Sequence, residues 1–212
     1  MSSANWVRWG GTAGMVGGLL WVLFPLSTAL VSLEDTQPRT LVYVGTAASY
    51  WLMAVLPLLL LLVGLMGLRA LFGGTYGRLG KVGFLISFVA LAFMFFGNGV
   101  EVASLTFSGS ESAVGHSAFL VGFLVLLVGS VLLGVALIRA RHDSSSRLGG
   151  LLFALALPLG ILLAILGDAV APSTDIGFWA AITVPYGIAW VLLGYALSSS
   201  RRTVAGQPSR VS

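Results

Sequence analysis

The sequence predicts an all-α integral membrane protein, a bundle of six transmembrane helices. Three observations predict it. Of 212 residues, 58% are hydrophobic and only 8% are charged, with a mean hydropathy of +1.01. Soluble domains carry roughly 25% charged residues, so a chain this apolar has too little polar surface to cover itself in water. The apolar residues also gather into six runs, each long enough to cross ~30 Å of hydrocarbon, which takes ~20 helical residues. Finally, ten of the eleven Lys and Arg residues fall at one set of run ends, and six of the seven carboxylates at the other.

The runs cover residues 10–31, 43–68, 82–104, 117–138, 148–167 and 176–197. Each is expected to be helical, because lipid offers no partner to an open backbone N–H or C=O. The first follows Trp6, Arg8 and Trp9 and carries Gly10, Gly14 and Gly18 at i, i+4 and i+8. That is a small-residue ridge on which another backbone can settle, either a neighbouring helix or a second copy of the chain. Ser27 and Ala29 form a small-x-small pair, as at a signal-peptide cleavage site. The glycine-rich stretch 10–18 and the single Arg before it argue against a cleaved leader.

The second run opens near Tyr50 and Trp51 and closes at Gly64 and Arg69. The third follows Arg78 and Lys81, is rich in Phe, and turns polar at Asn98 and Glu101. The fourth opens at His116, carries Gly122 and Gly129 as packing positions, and closes at Arg139. The fifth follows Arg147 and ends at Gly167 and Asp168. The sixth begins after Asp175, contains Trp179, and ends before Arg201 and Arg202. Aromatic side chains near the run ends fit the interfacial belts of a bilayer. Prolines interrupt four runs, at Pro25, Pro57, Pro158 and Pro185. Each removes a backbone donor and releases a carbonyl one turn earlier; the outcome is a packed kink or, as in transporters, a ligand site.

The charge sorting orients the bundle. Arg8, Arg69, Arg78, Lys81, Arg139, Arg141, Arg147, Arg201, Arg202 and Arg210 lie on one side, joined by Asp143. Glu34, Asp35, Glu101, Glu111, Asp168 and Asp175 lie on the other, joined by Arg39. Cytoplasmic loops retain Lys and Arg, so both termini are expected in the cytoplasm and the protein in the cell (plasma) membrane. Residues 6–202 form one transmembrane domain, between tails 1–5 and 203–212 that are polar and expected to be disordered. The net charge of +4 sits at span ends rather than on one face. Its partner is therefore the lipid headgroup layer and not nucleic acid.

A repeat is visible. Arg8, Arg78 and Arg147 each precede a glycine by two residues, at Gly10, Gly80 and Gly149, and their offsets are 70 and 69. Gly64 with Arg69 recurs as Gly134 with Arg139. This spacing admits three tandem two-helix hairpins, in parallel about an axis normal to the membrane. The need of any cytoplasmic helix end for Arg explains it equally well.

Asn98 and Glu101 stand three residues apart, on a shared helix face, and an intramembrane carboxylate is a functional candidate by default. Glu101 comes 20 residues after Lys81, about 30 Å along a helix, which places it at the outer interface. His116 and Asp168 lie at the same level. Together the four residues are the candidate polar or ion site. An acidic mouth concentrates cations, and a Glu–His pair titrates between roughly pH 5 and 7. Tolerance of acids outside the membrane accounts for the same pattern without any site.

Chain-wide exclusions are clear. There is no cysteine, which rules out disulfides, thiolate metal sites and cysteine nucleophiles. The two histidines, His116 and His142, supply no two-His metal or haem site within the membrane. No phosphate loop or nucleotide fingerprint is present, so neither a cofactor nor a metal is expected. Three function classes remain: a non-catalytic accessory or scaffold protein acting by contact with a second copy or another membrane protein; a small transporter or channel for a cation, proton or small solute; and a membrane-embedded enzyme or sensor resting on Glu101 and His116 alone.

Overall fold

The computed structural model describes residues 3–30, 40–75, 77–140, 144–170 and 175–205. All regular structure among them is helical: α1 (Ser3–Leu30), α2 (Leu41–Tyr50), a π-helical turn (Trp51–Val55), α3 (Leu56–Phe72), α4 (Gly77–Ser108), α5 (Ala113–Arg139), α6 (Ser144–Val170) and α7 (Asp175–Ala205). Five stretches are long and apolar enough to cross a membrane: Val42–Phe72, Gly77–Ser108, Ala113–Arg139, Ser146–Leu166 and Trp179–Ser199. By length and composition the chain is a multi-pass membrane protein.

α1 is 28 residues long but does not belong to those five. The count is made of the described residues, and the side chains of α1 are described only from Asn5 to Pro25. The helices also run further than the apolar runs. Helix covers residues 3–5 and 203–205, which the sequence reading assigns to disordered tails. Extending a formed helix adds one hydrogen bond per residue fixed, whereas starting one is costly.

Large apolar side chains cover the outside of the described helices. Leu85, Val89, Phe93, Phe96 and Val100 are exposed along α4, as are Leu151, Leu155, Leu159, Leu162 and Leu166 along α6. In water this would be a severe aggregation liability; against lipid it carries no penalty.

The helices close a ring in the order α3, α1, α7, α6, α5, α4. The α4–α5 and α1–α7 seams are the most extensive, and α3 meets α4 more lightly. Glycine makes the close seams. A Cβ built on Gly10 would lie 2.5 Å from Gly67 Cα, and one on Gly18 would lie 2.5 Å from the Gly187 carbonyl. Gly11 likewise abuts Gly194, and Gly14 faces the Trp190 ring. The ridge on α1 is thus wedged between α3 and α7 of the same chain. On α4 and α5, Gly83, Ala90 and Gly97 oppose Leu133, Gly122 and Gly115. Small residues seven apart on both helices keep one seam facing the partner helix.

Three prolines sit inside helices: Pro25 in α1, Pro158 in α6 and Pro185 in α7. The Ala181 carbonyl, one turn before Pro185, packs against Gly160 of α6. Pro57 is placed differently. It occupies the first turn of α3, directly after the π turn, where the Leu56 N–H bonds back to the Trp51 carbonyl five residues earlier. The second span is therefore a helix with a π bulge. A bulge of this kind shifts the hydrogen-bond ladder so that a proline fits without breaking the rod.

Candidate functional site

Most of the polar contacts between helices lie toward one end of the bundle, where α4 turns into α5. α4 ends at Ser108 and Gly109 follows with φ +67°, a left-handed position that favours glycine at a helix C-terminus. Ser112 then caps α5, its side chain accepting from the Gly115 N–H. Inside the turn, Ser104 donates to the Ser110 carbonyl at 2.8 Å, and Ser108 to the Ser104 carbonyl at 2.7 Å. The serines are thus spent on shaping the turn.

Just below it, the Gly97–Gly115 contact brings the two backbones together. A Cβ on Gly115 would stand 2.7 Å from the Glu101 nitrogen. That approach lets Glu101 on α4 meet His116 on α5: Oε1 lies 2.9 Å from Nδ1. The Glu101 side chain is 14% exposed and that of His116 49%, so the carboxylate is largely sheltered while the imidazole opens outward. Glu101 meets the Nδ1 side of the half-exposed ring. Such a pair can orient an imidazole or pass a proton.

Asn98 goes elsewhere. Its Nδ2 donates to the Ala54 carbonyl in the π turn at 2.8 Å. Residues three apart on a helix point about 60° apart, and here that offset directs Asn98 and Glu101 to different neighbours. The shared face read from the sequence is therefore divided: Glu101 faces α5, and Asn98 faces the bulged second span. Asp168 lies in the last turn of α6, and its side chain falls outside the described residues, as do Glu34, Asp35 and His142. Glu111 is exposed on the α4–α5 turn. Of the four candidate polar residues, only Glu101 and His116 are brought into contact among the described residues, where no group of three or more His, Asp or Glu is placed to hold a metal ion.

Tyr43 was not singled out by the sequence, yet it is a main tie at this end. Its hydroxyl reaches the Leu105 carbonyl at 2.7 Å and the Thr106 carbonyl at 2.6 Å. Both belong to the last turn of α4, where the Leu105 carbonyl already accepts from the Gly109 N–H at 3.1 Å and the phenol adds a second donor. Thr40 in turn caps the helix that carries Tyr43, accepting from its N–H at 3.1 Å. A Tyr one turn inside a helix start was the available signal, but nothing in the sequence pairs it with a turn 62 residues away.

At the opposite end, Arg69 lies over the Phe84 ring at 5.2 Å and Arg8 over Trp9 at 5.7 Å. Arg8 also stands beside the α3 end that carries Arg69, because Gly10 packs on Gly67. Arg78, Lys81 and Arg139 are exposed.

Comparison with protein-family models, with curated proteins and with solved structures finds no match to this chain.

Proposed function

We propose that the chain is a six-span plasma-membrane protein with both termini in the cytoplasm, acting as a non-catalytic accessory or scaffold protein through helix–helix contact with a second copy or another membrane protein. The observation that carries this reading is where the polar side chains go. Asn98, Tyr43 and the Glu101–His116 pair each tie one element to another within the chain, and the outward face is left apolar. Polar groups used this way hold a shape rather than conduct a solute.

The six-span count is supported by α1 itself. It lies along α3 from Gly10 against Gly67 to Gly17 against Leu61, and along α7 from Gly11 against Gly194 to Gly18 against Gly187. A helix held between two spanning neighbours over this length shares their depth. Three hairpins, α1 with α2–α3, α4 with α5, and α6 with α7, are in keeping with the spacing of Arg8, Arg78 and Arg147.

A second reading, a small transporter for a cation, proton or small solute, is favoured by the Glu101–His116 pair. Flux into liposomes separates the two. The scaffold reading expects proton and monovalent-cation flux no higher than in protein-free liposomes, unchanged by Glu101→Gln. Flux well above that background, abolished by Glu101→Gln, would replace it with the transport reading. Photo-reactive side chains at Leu155 and Val89, both lipid-facing, should in addition give discrete cross-linked species in native membranes.

A further inference from the structure

The two halves of the second span are fastened to the bundle in different ways. After the π turn, α3 is held by backbone contact. A Cβ on Gly67 would lie 2.7 Å from the Gly10 Cα, and one on Gly64 would lie 3.2 Å from the Gly14 Cα. That seam cannot part without moving whole helices. Before the π turn, α2 has one glycine, Gly45, and a Cβ there would meet nothing within 4 Å. Tyr43, Thr46 and Ala47 are buried, whereas Val42 and Val44 are exposed. Tyr43 and Ala47 form a small apolar cluster with Tyr50 and with Leu105 of α4. It is separate from the main core, which takes in Leu58, Leu61 and Leu65 of α3.

Hydrogen bonds from two side chains add to this attachment. The Tyr43 hydroxyl reaches the Leu105 and Thr106 carbonyls, and the Asn98 amide reaches the Ala54 carbonyl. Each runs from a side-chain tip to a carbonyl, so each opens by rotation about side-chain bonds alone. Between the two halves the backbone ladder is interrupted. The Leu56 N–H bonds to the Trp51 carbonyl, and Pro57 brings no N–H. Proline and π turns are where long helices bend, and a hinge needs only a few residues that absorb the change in backbone angles. On α4, Asn98, Val102 and Leu105 recur at helical spacing on the face that α2 covers, and Val102 at its middle is 2% exposed.

We propose that α2 is a strap, hinged at the π turn and Pro57 and latched onto α4 by Tyr43 and Asn98. It swings off the Asn98–Val102–Leu105 face of α4 while α3 stays seated on α1. The small separate cluster parts at its Leu105 contact, and the main core is left whole. Opening bares the Asn98 amide together with the Leu105 and Thr106 carbonyls. Asn98 stands less than one helical turn from Glu101. The strap therefore governs access to the polar residues at this end of the bundle, whichever function the protein has.

Double electron–electron resonance on the full chain in lipid nanodiscs tests this. The chain has no cysteine, so nitroxides attach only to introduced thiols. Val42, Leu59 and Val121 are exposed on α2, α3 and α5. Val42→Cys with Val121→Cys follows the strap, and Leu59→Cys with Val121→Cys follows the rest of the span. At 1.5 Å per residue Val42 lies ~14 Å beyond the hinge, so a swing of about 20° carries it ~5 Å. Tyr43→Phe removes only the latching hydroxyl. It is expected to add a component shifted by about 5 Å to the Val42–Val121 distribution and to leave Leu59–Val121 unaltered. An unaltered Val42–Val121 distribution overturns the proposal. So does an equal shift in both pairs, since the span would then move as one rod. If Tyr43→Phe does not fold, Asn98→Ala cuts the other tie and is read by the same outcomes.

Discussion

Two glycines two residues apart separate packing from mere tolerance. Gly97 is pressed into α5, where a Cβ would stand 2.5 Å from the Phe119 nitrogen; Gly99 on the next face has nothing within 4 Å. Backbone atoms cannot turn aside as a side-chain tip can. Gly97→Ala should therefore push α4 from α5 at a cost of about 1–3 kcal/mol, the usual range for overpacking. Gly99→Ala should be neutral or gain up to ~1 kcal/mol, because alanine is the better helix former. Thermal unfolding of the two variants in one detergent checks this; equal loss in both would mean that the α4–α5 seam does not depend on close approach. The Glu101–His116 pair sits at the other extreme. An ion pair with one half-exposed partner contributes little, under about 1 kcal/mol. Glu101→Gln should then leave unfolding nearly unchanged, and any loss of flux in that variant would report on function rather than on folding.

The bulged second span depends on a side chain from another element. Between Trp51 and Val55 the backbone ladder steps to five-residue spacing, and Pro57 contributes no donor. Asn98 supplies a donor from α4 to the Ala54 carbonyl. Asn98→Ala removes it and should cost about 1 kcal/mol, the net worth of a typical hydrogen bond. It should also raise hydrogen exchange selectively in α2 and the π turn; exchange rising evenly over the whole chain would count against a local tie. Asn98 illustrates what the sequence could and could not disclose. Its polarity inside a Phe-rich run marked it at once, but its partner 44 residues away did not follow from any pattern. Five of the span positions were legible because hydropathy is a local property of each run. The ridge of Gly10, Gly14 and Gly18 was legible as a ridge, whereas its seating between α3 and α7 is a matter of tertiary pairing. The seven-residue spacing of Gly83, Ala90 and Gly97 on α4, and of Gly115, Gly122 and Gly129 on α5, stood in the sequence too, obscured by the other small residues of both helices. Tyr43, one turn inside a helix start, carried no sign of its partners in the last turn of α4.

At the scale of the molecule, the charges and the packing make one joint statement about sidedness. Gly10 on Gly67 sets Arg8 beside the end of α3 that carries Arg69, and the first turns of α4 carry Arg78 and Lys81 there as well. Glu101 and Glu111 stand at the far end, around the α4–α5 turn. Moving a base-rich loop across the membrane is disfavoured, and short loops obey this bias best. The proposed orientation therefore predicts three accessibilities at once. The chain has no cysteine, so Asn5→Cys, Thr75→Cys and Ser110→Cys each introduce a single thiol, and all three positions are exposed. In intact cells an impermeant maleimide should label Ser110→Cys alone, and permeabilisation should expose the other two. Labelling of Thr75→Cys in place of Ser110→Cys would invert the bundle and leave its crossings intact. Labelling of Asn5→Cys together with Ser110→Cys would be more damaging, since a first helix that does not cross between its own end and α2 cannot lie antiparallel to α3 along the Gly10–Gly67 seam.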